Sequence, residues 1–105
     1  MDLELADKRV LVTGGSRGIG KAIVASFLDE GARVAMCARN VSGLESTASE
    51  FAHRGDLHHR ATDLGDVDSV NEYVEWAGET LGGIDVVISN VSAMSSRDLD
   101  VGYEV

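Results

Sequence analysis

Eight residues near the start of the chain, Thr13-Gly14-Gly15-Ser16-Arg17-Gly18-Ile19-Gly20, have the composition and spacing of a phosphate-binding turn. They follow a short apolar run, Val10-Leu11-Val12, and lead into Lys21-Ala22-Ile23-Val24, whose pattern is helical. Strand, glycine turn and helix, in that order, is the context a dinucleotide phosphate site requires. The first turn of a helix has backbone N–H groups without intrahelical partners, and they point at whatever precedes it. The helix dipole adds partial positive charge at the same end, so a pyrophosphate is stabilised there. A side chain at the glycine positions would block the backbone's approach or demand an unfavourable positive φ.

The general dinucleotide fingerprint is G-x-G-x-x-G. Here Gly14, Gly18 and Gly20 read G-x-x-x-G-x-G instead. The stretch T-G-x-x-x-G-I-G, set just after an N-terminal strand, closely resembles the short-chain dehydrogenase/reductase family. Among its members, 3-oxoacyl carrier-protein reductases have a similar N-terminus. The resemblance covers nearly the whole chain but only the first half of a family member. It implies a nicotinamide-dependent oxidoreductase whose cofactor turn is formed by Gly14, Ser16, Arg17, Gly18, Ile19 and Gly20.

Cofactor choice rests on the end of the second strand. An acidic residue there accepts from the ribose 2′-hydroxyl of NAD, whereas arginine accommodates the 2′-phosphate of NADP. The chain has Met36-Cys37-Ala38-Arg39-Asn40. Alanine stands where NAD-selective family members tend to have aspartate, and Arg39 follows it. Arg17 is a second basic position found in NADP-preferring relatives. A guanidinium can grip phosphate through two parallel bonds. The expectation is NADP (NADPH) in preference to NAD, with Arg39 and Asn40 at the cofactor.

The resemblance also places Asp63 on the adenine amino group, with Leu64 packed near the ring. Read without it, Asp63 is a helix-flanking aspartate that helps the turn before Asp66. Ser89-Asn90-Val91-Ser92-Ala93 resembles the family's N-N-A-G element, in which an asparagine steadies the sheet and small residues line the adenosine ribose. Asn90 fits that element, while Val91 and Ser92 replace alanine and glycine. These three residues complete the expected cofactor set.

The family's catalytic serine, Tyr-x-x-x-Lys pair and helix asparagine come from its second half. Tyr73 is followed four positions later by Ala77, and the matching position for Tyr103 lies past Val105. Ser92, Ser95 and Ser96 come too early to be the catalytic serine. No catalytic residue is therefore assigned, and these 105 residues alone are expected to be inactive. They read as the NADP-binding half of an oxidoreductase that reduces a small carbonyl or 3-oxoacyl substrate or oxidises an alcohol. The alternative is a non-catalytic dinucleotide-binding or interaction module. Resemblance further implies a homo-oligomer.

The elements that must position these residues alternate. Residues 8–13, 33–38, 57–62 and 84–89 read as strands, since each is a short run bounded by turn residues. Residues 17–30 read as a helix with Ile19, Ala22, Ile23 and Phe27 on its core stripe, stopped by Gly31. On the second strand, Val34 and Met36 face one way and Ala35 and Cys37 the other. Ser42-x-x-Glu45 has the spacing of a capping box for a second helix reaching about residue 53. His58, His59 and Arg60 are too polar for a sheet centre and mark an edge strand. Asp66 can cap a third helix whose stripe is Val67, Val70, Val74, Ala77 and Leu81, with Gly82-Gly83 as its stop. Tyr73 and Trp76 read as packing residues.

Three strand–helix alternations and a final strand imply a Rossmann-type α/β fold. Its doubly wound parallel sheet should have the order 3-2-1-4, with ligand at the switch between strands one and four. Residues 91–105 show no sustained periodicity. Val86, Val87 and Ile88 suit a central strand buried on both faces. As a last strand they would be an exposed apolar edge. That suggests a fold cut short after the fourth strand, or one covered by another chain.

Composition narrows the partners. The chain is 44% hydrophobic and 26% charged, ordinary globular usage, with a formal net charge of −9. Such a balance repels polyanions, which argues against nucleic acid. No apolar run approaches the roughly 18 residues of a membrane span. The acidic N-terminus is unlike a signal peptide, and the reading is a soluble cytoplasmic protein. The one cysteine, Cys37, excludes an internal disulfide and reads as a small buried hydrophobe. His58 and His59 point to opposite faces of a strand, so no metal site is expected.

Overall fold

The segment Arg33–Ala38 (β2) explains the architecture, because Val34, Ala35, Met36 and Cys37 are all fully buried. A strand with no polar face must be covered on both sides, which is the situation inside a parallel sheet flanked by helices. The computed structural model describes residues 5–14 and 18–89. Around β2 it places β1 (Arg9–Thr13), α1 (Gly18–Asp29), α2 (Val41–Glu50), β3 (Leu57–Ala61), α3 (Val67–Leu81) and β4 (Val86–Ser89). The sheet is parallel throughout and has the expected order β3-β2-β1-β4.

Alternation along each strand divides the core in two. Val10, Val12, Val34 and Met36 face α1 and α2, where Val24, Leu28, Leu44 and Phe51 close over them. Leu11, Ala35 and Cys37 face α3 and meet Tyr73, Ala77 and Leu81. Each fully buried valine or leucine contributes about 1.5–3 kcal/mol. The two faces predicted for β2 are those observed, and Cys37 is buried as expected.

Both long helices sit rotated from the expected stripe. In α1 the buried residues are Gly20, Val24 and Leu28, with Ile23 and Phe27 only partly covered. Ile19 is 69% exposed. Positions 20, 24 and 28 repeat with helical spacing as well as the chosen set does, and only the direction of the sheet selects between them. Gly20 is the first of that set and is buried. In α3, Val67 and Val74 are exposed, and Tyr73 takes the core position with Ala77 and Leu81. Tyr73 can be fully buried because its hydroxyl donates to the Val12 carbonyl at 2.8 Å.

Cap residues also differ in one place. Asn40, not Ser42, caps α2, its Oδ1 accepting from the Gly43 N–H at 2.8 Å. The helix therefore begins one residue before Ser42 and closes at Phe51. Asp66 does cap α3, and Gly82 ends it at φ 83°. β1 and β4 are shorter than expected, beginning at Arg9 and Val86. β3 is the polar edge the sequence implied. β4 is not buried on both faces: among the described residues it is the other edge, and Val87 is 61% exposed.

Candidate dinucleotide-binding site

Parallel strands bring all their carboxyl ends to one edge of the sheet. Thr13 lies opposite both Cys37 on β2 and Ser89 on β4, and Ala38 lies opposite Ala61 on β3. The turn after β1, Arg39 after β2 and Asp63 after β3 are thereby gathered along a single rim. α1 leaves that rim toward β2, while β4 lies on the other side of β1. This is the switch point at which open α/β sheets bind ligands.

The turn itself is anchored by backbone. Gly14 has φ 75°, and its N–H donates to the Cys37 carbonyl at 2.8 Å. Gly18 opens α1 at φ 56°, and a Cβ added there would meet nothing within 4 Å. Its need for glycine is conformational, and the space beside it is open. The first turn of α1 has no acidic residue, so no carboxylate of that turn cancels the helix's positive end. Open space beside Gly18 and a helix N-terminus without an acid in its first turn are compatible with the pyrophosphate the sequence implied. Gly20 is buried in the first turn of α1, and Ile19 before it is exposed. Ser16 and Arg17 lie outside the described residues, as do Asn90, Val91 and Ser92.

Arg39 and Asp63, expected at opposite ends of an adenosine moiety, are joined to one another. Arg39 Nη2 donates to Asp63 Oδ1 at 2.7 Å, with side chains 76% and 51% exposed. The same Oδ1 accepts from the Gly65 N–H at 3.0 Å, and the Asp63 N–H donates to Ser69 Oγ at 3.0 Å. The Arg39 guanidinium, and then the Gly65 N–H, hold the Asp63 carboxyl below the usual carboxylate range. Asp63 also serves the turn before α3, since its carbonyl accepts from the Asp66 N–H. The cofactor reading and the turn reading of this residue are thus compatible. Asn40 spends its side-chain oxygen on the α2 cap, and Leu64 packs at the edge of the α3 core.

Sequence reasoning passed over the Tyr73 hydroxyl. It reaches across from α3 to the last turnward carbonyls of β1, one residue before Thr13. A tyrosine at a core position of an amphipathic helix is the signal, because a buried phenol must find a polar partner. Burial pushes the Tyr73 and Cys37 protons up, so both are neutral structural groups.

The sheet order and its parallel strands define an α/β protein of Rossmann type. The short chain dehydrogenase family matches residues 8–101, and the chain belongs to that family. It is 38% identical over 98 residues to the uncharacterised oxidoreductase YvrD of Bacillus subtilis, an alignment covering 93% of this chain and 37% of YvrD. It is 42% identical over 95 residues to isoepoxydon dehydrogenase patN of Penicillium expansum, covering 86% of this chain and 36% of that one. L-Sorbose reductase from Gluconobacter frateurii, solved with NADPH and L-sorbose, superposes with a TM-score of 0.80 at 32% identity, covering 90% of this chain and 37% of the reductase. The chain therefore spans well under half the length of these relatives.

Proposed function

We propose that residues 1–105 form the NADP(H)-binding half of an oxidoreductase that interconverts a small carbonyl compound and its alcohol. The observation that carries the reading is Arg39, a long-stemmed cation rather than an acid, directly after the carboxyl end of β2. In this reading Gly14, Gly18 and Gly20 let the backbone and the start of α1 hold the pyrophosphate. Arg39 and Arg17 take the 2′-phosphate. Asp63 accepts from adenine, Leu64 borders the ring, and Asn90, Val91 and Ser92 line the adenosine ribose. The bound nicotinamide supplies hydride-transfer chemistry. Family members with a complete catalytic set place it in the half of the fold beyond these elements, and we assign none of it here. Resemblance to reductases of 3-oxoacyl groups, and to the sorbose reductase, supports a carbonyl substrate. Homo-oligomeric assembly belongs to the same reading.

The test is titration of the protein with NADPH and with NADH, before and after Arg39→Asp. The expected outcome is tighter binding of NADPH, lost by more than about tenfold in the variant because a phosphate then faces a carboxylate. NADH affinity should stay the same or rise. Equal affinities for the two cofactors, unchanged by the substitution, would sink the assignment.

A further inference from the structure

Asp63 and Arg39 are bound to each other, and Asp63 is the better anchored of the two. Its Oδ1 accepts from both Arg39 Nη2 and the Gly65 N–H, and its own N–H is held by Ser69 at the start of α3. Arg39, by contrast, is 76% exposed on a long stem. Gly65 lies directly against the pair: a Cβ added there would sit 3.4 Å from Asp63 Oδ1 and 3.9 Å from Arg39 Nη2. The guanidinium is thus held over the β2–β3 end of the rim.

We infer that Asp63 is a specificity-determining residue that acts through Arg39, positioning its guanidinium for the extra phosphate that distinguishes NADPH from NADH. This rests on the cofactor reading above and adds to it a coupling between two residues. The physical reason is rotamer entropy. A free arginine side chain loses several torsions on gripping a phosphate, whereas one already held by a carboxylate has lost part of that freedom. A guanidinium has five donors in a rigid fork, so one bond to Asp63 leaves others for a second anion. The carboxylate also opposes the phosphate by its charge. Solvent exposure weakens that repulsion and the ion pair alike, so the effect expected of the coupling is small.

Adenine is common to both cofactors, and the 2′-phosphate is not. That separates the two roles of Asp63 experimentally. Asp63→Asn keeps the acceptor for the Gly65 N–H and removes the charge that holds Arg39. The measurement is the ratio of NADPH to NADH dissociation constants in the unaltered protein, Asp63→Asn, Arg39→Met and the double variant, with far-UV circular dichroism and a cooperative thermal melt as the report that each is folded. The expected result is a three- to fivefold fall in NADPH preference on Asp63→Asn, about the factor an exposed ion pair supplies. In the Arg39→Met background the same change should leave the ratio where it is. Equal weakening of both cofactors would mean that Asp63 acts on adenine alone, and the inference fails while the cofactor reading survives. A ratio that still falls without Arg39 also overturns it. No NADPH preference in the unaltered protein overturns both.

Discussion

The two ends of the sheet each carry arginine–aspartate pairs, yet they are built for different work. At the amino end, Arg9 donates from Nε and Nη2 to Asp85 and from Nη1 to the Gly82 carbonyl, while its backbone N–H also binds Asp85. Arg33 likewise joins Asp56 and the Leu81 carbonyl. Both arginines sit at the carboxyl end of α3, where the last carbonyls lack helical partners and the dipole is negative. α3 has no basic residue in its own last turn, so β1 and β2 supply the cations. At the carboxyl end, among the described residues, Arg39 bonds to the carboxylate of Asp63, and the first turn of α1 has no acid of its own. Fully engaged arginines lock strands to a helix. A singly held one keeps donors for a further acceptor. Partner number, more than residue type, distinguishes the structural end from the end proposed to bind the cofactor.

Three experiments would break or sharpen that contrast. The largest effect is expected from Gly83→Ala. Gly83 has φ 141°, and an added Cβ would lie 2.7 Å from Arg9 Nη1 and 2.9 Å from its Cζ. Because three bonds fix that guanidinium, the clash cannot be relieved by swinging it aside. A loss of about 1–3 kcal/mol is expected by chemical denaturation, the range for backbone strain of this kind. A variant as stable as its parent would show that the amino end is looser than its bonding implies.

Next in size is a paired comparison. Arg9→Met should lower Tm by a few degrees, since it strands Asp85 and the Gly82 carbonyl, while leaving NADPH affinity unchanged. Arg39→Met should do the reverse, with Tm held and NADPH affinity reduced. Thermal melts and cofactor titrations on the same two samples decide the matter. Equal losses of Tm would erase the distinction between the two ends.

The smallest effect is on acid stability. Arg9 holds the Asp85 carboxyl well below the usual carboxylate range, and Arg33 lowers Asp56. Above about pH 5 these groups are ionised in both folded and unfolded chains, and their contribution is fully present. Below that the unfolded chain takes up protons first, so stability falls as pH drops through the depressed native values. Asp85→Asn should flatten this acid limb more than Asp63→Asn does, because Asp85 is the more strongly shifted. Urea midpoints followed from about pH 5 downward would show it.

Strand order, parallel sense, the two-faced core of β2 and the polar edge at β3 were legible because each follows from local pattern. Four short runs separated by helices leave few topologies, and alternation along β2 needs only the pleat. The stripes of α1 and α3 were misread for one reason. Several apolar sets in each helix have acceptable periodicity; Tyr73 read as a packing residue, but its place in the core stripe follows only once the Val12 carbonyl accepts from its hydroxyl. The α2 cap was misplaced because Asn40 and Ser42 are both good caps.

The sequence by itself therefore determined the kind of fold, the place of the glycine turn and the residues at the strand ends. Spacing and side-chain type suffice for these, since they depend on neighbours in the chain. Tertiary structure alone decided that Arg39 and Asp63, 24 positions apart, share a hydrogen bond, and that Arg9 and Arg33 close the end of α3. Those contacts exist because parallel pairing aligns strand ends from distant parts of the chain, and no local pattern encodes which charge will stand opposite which.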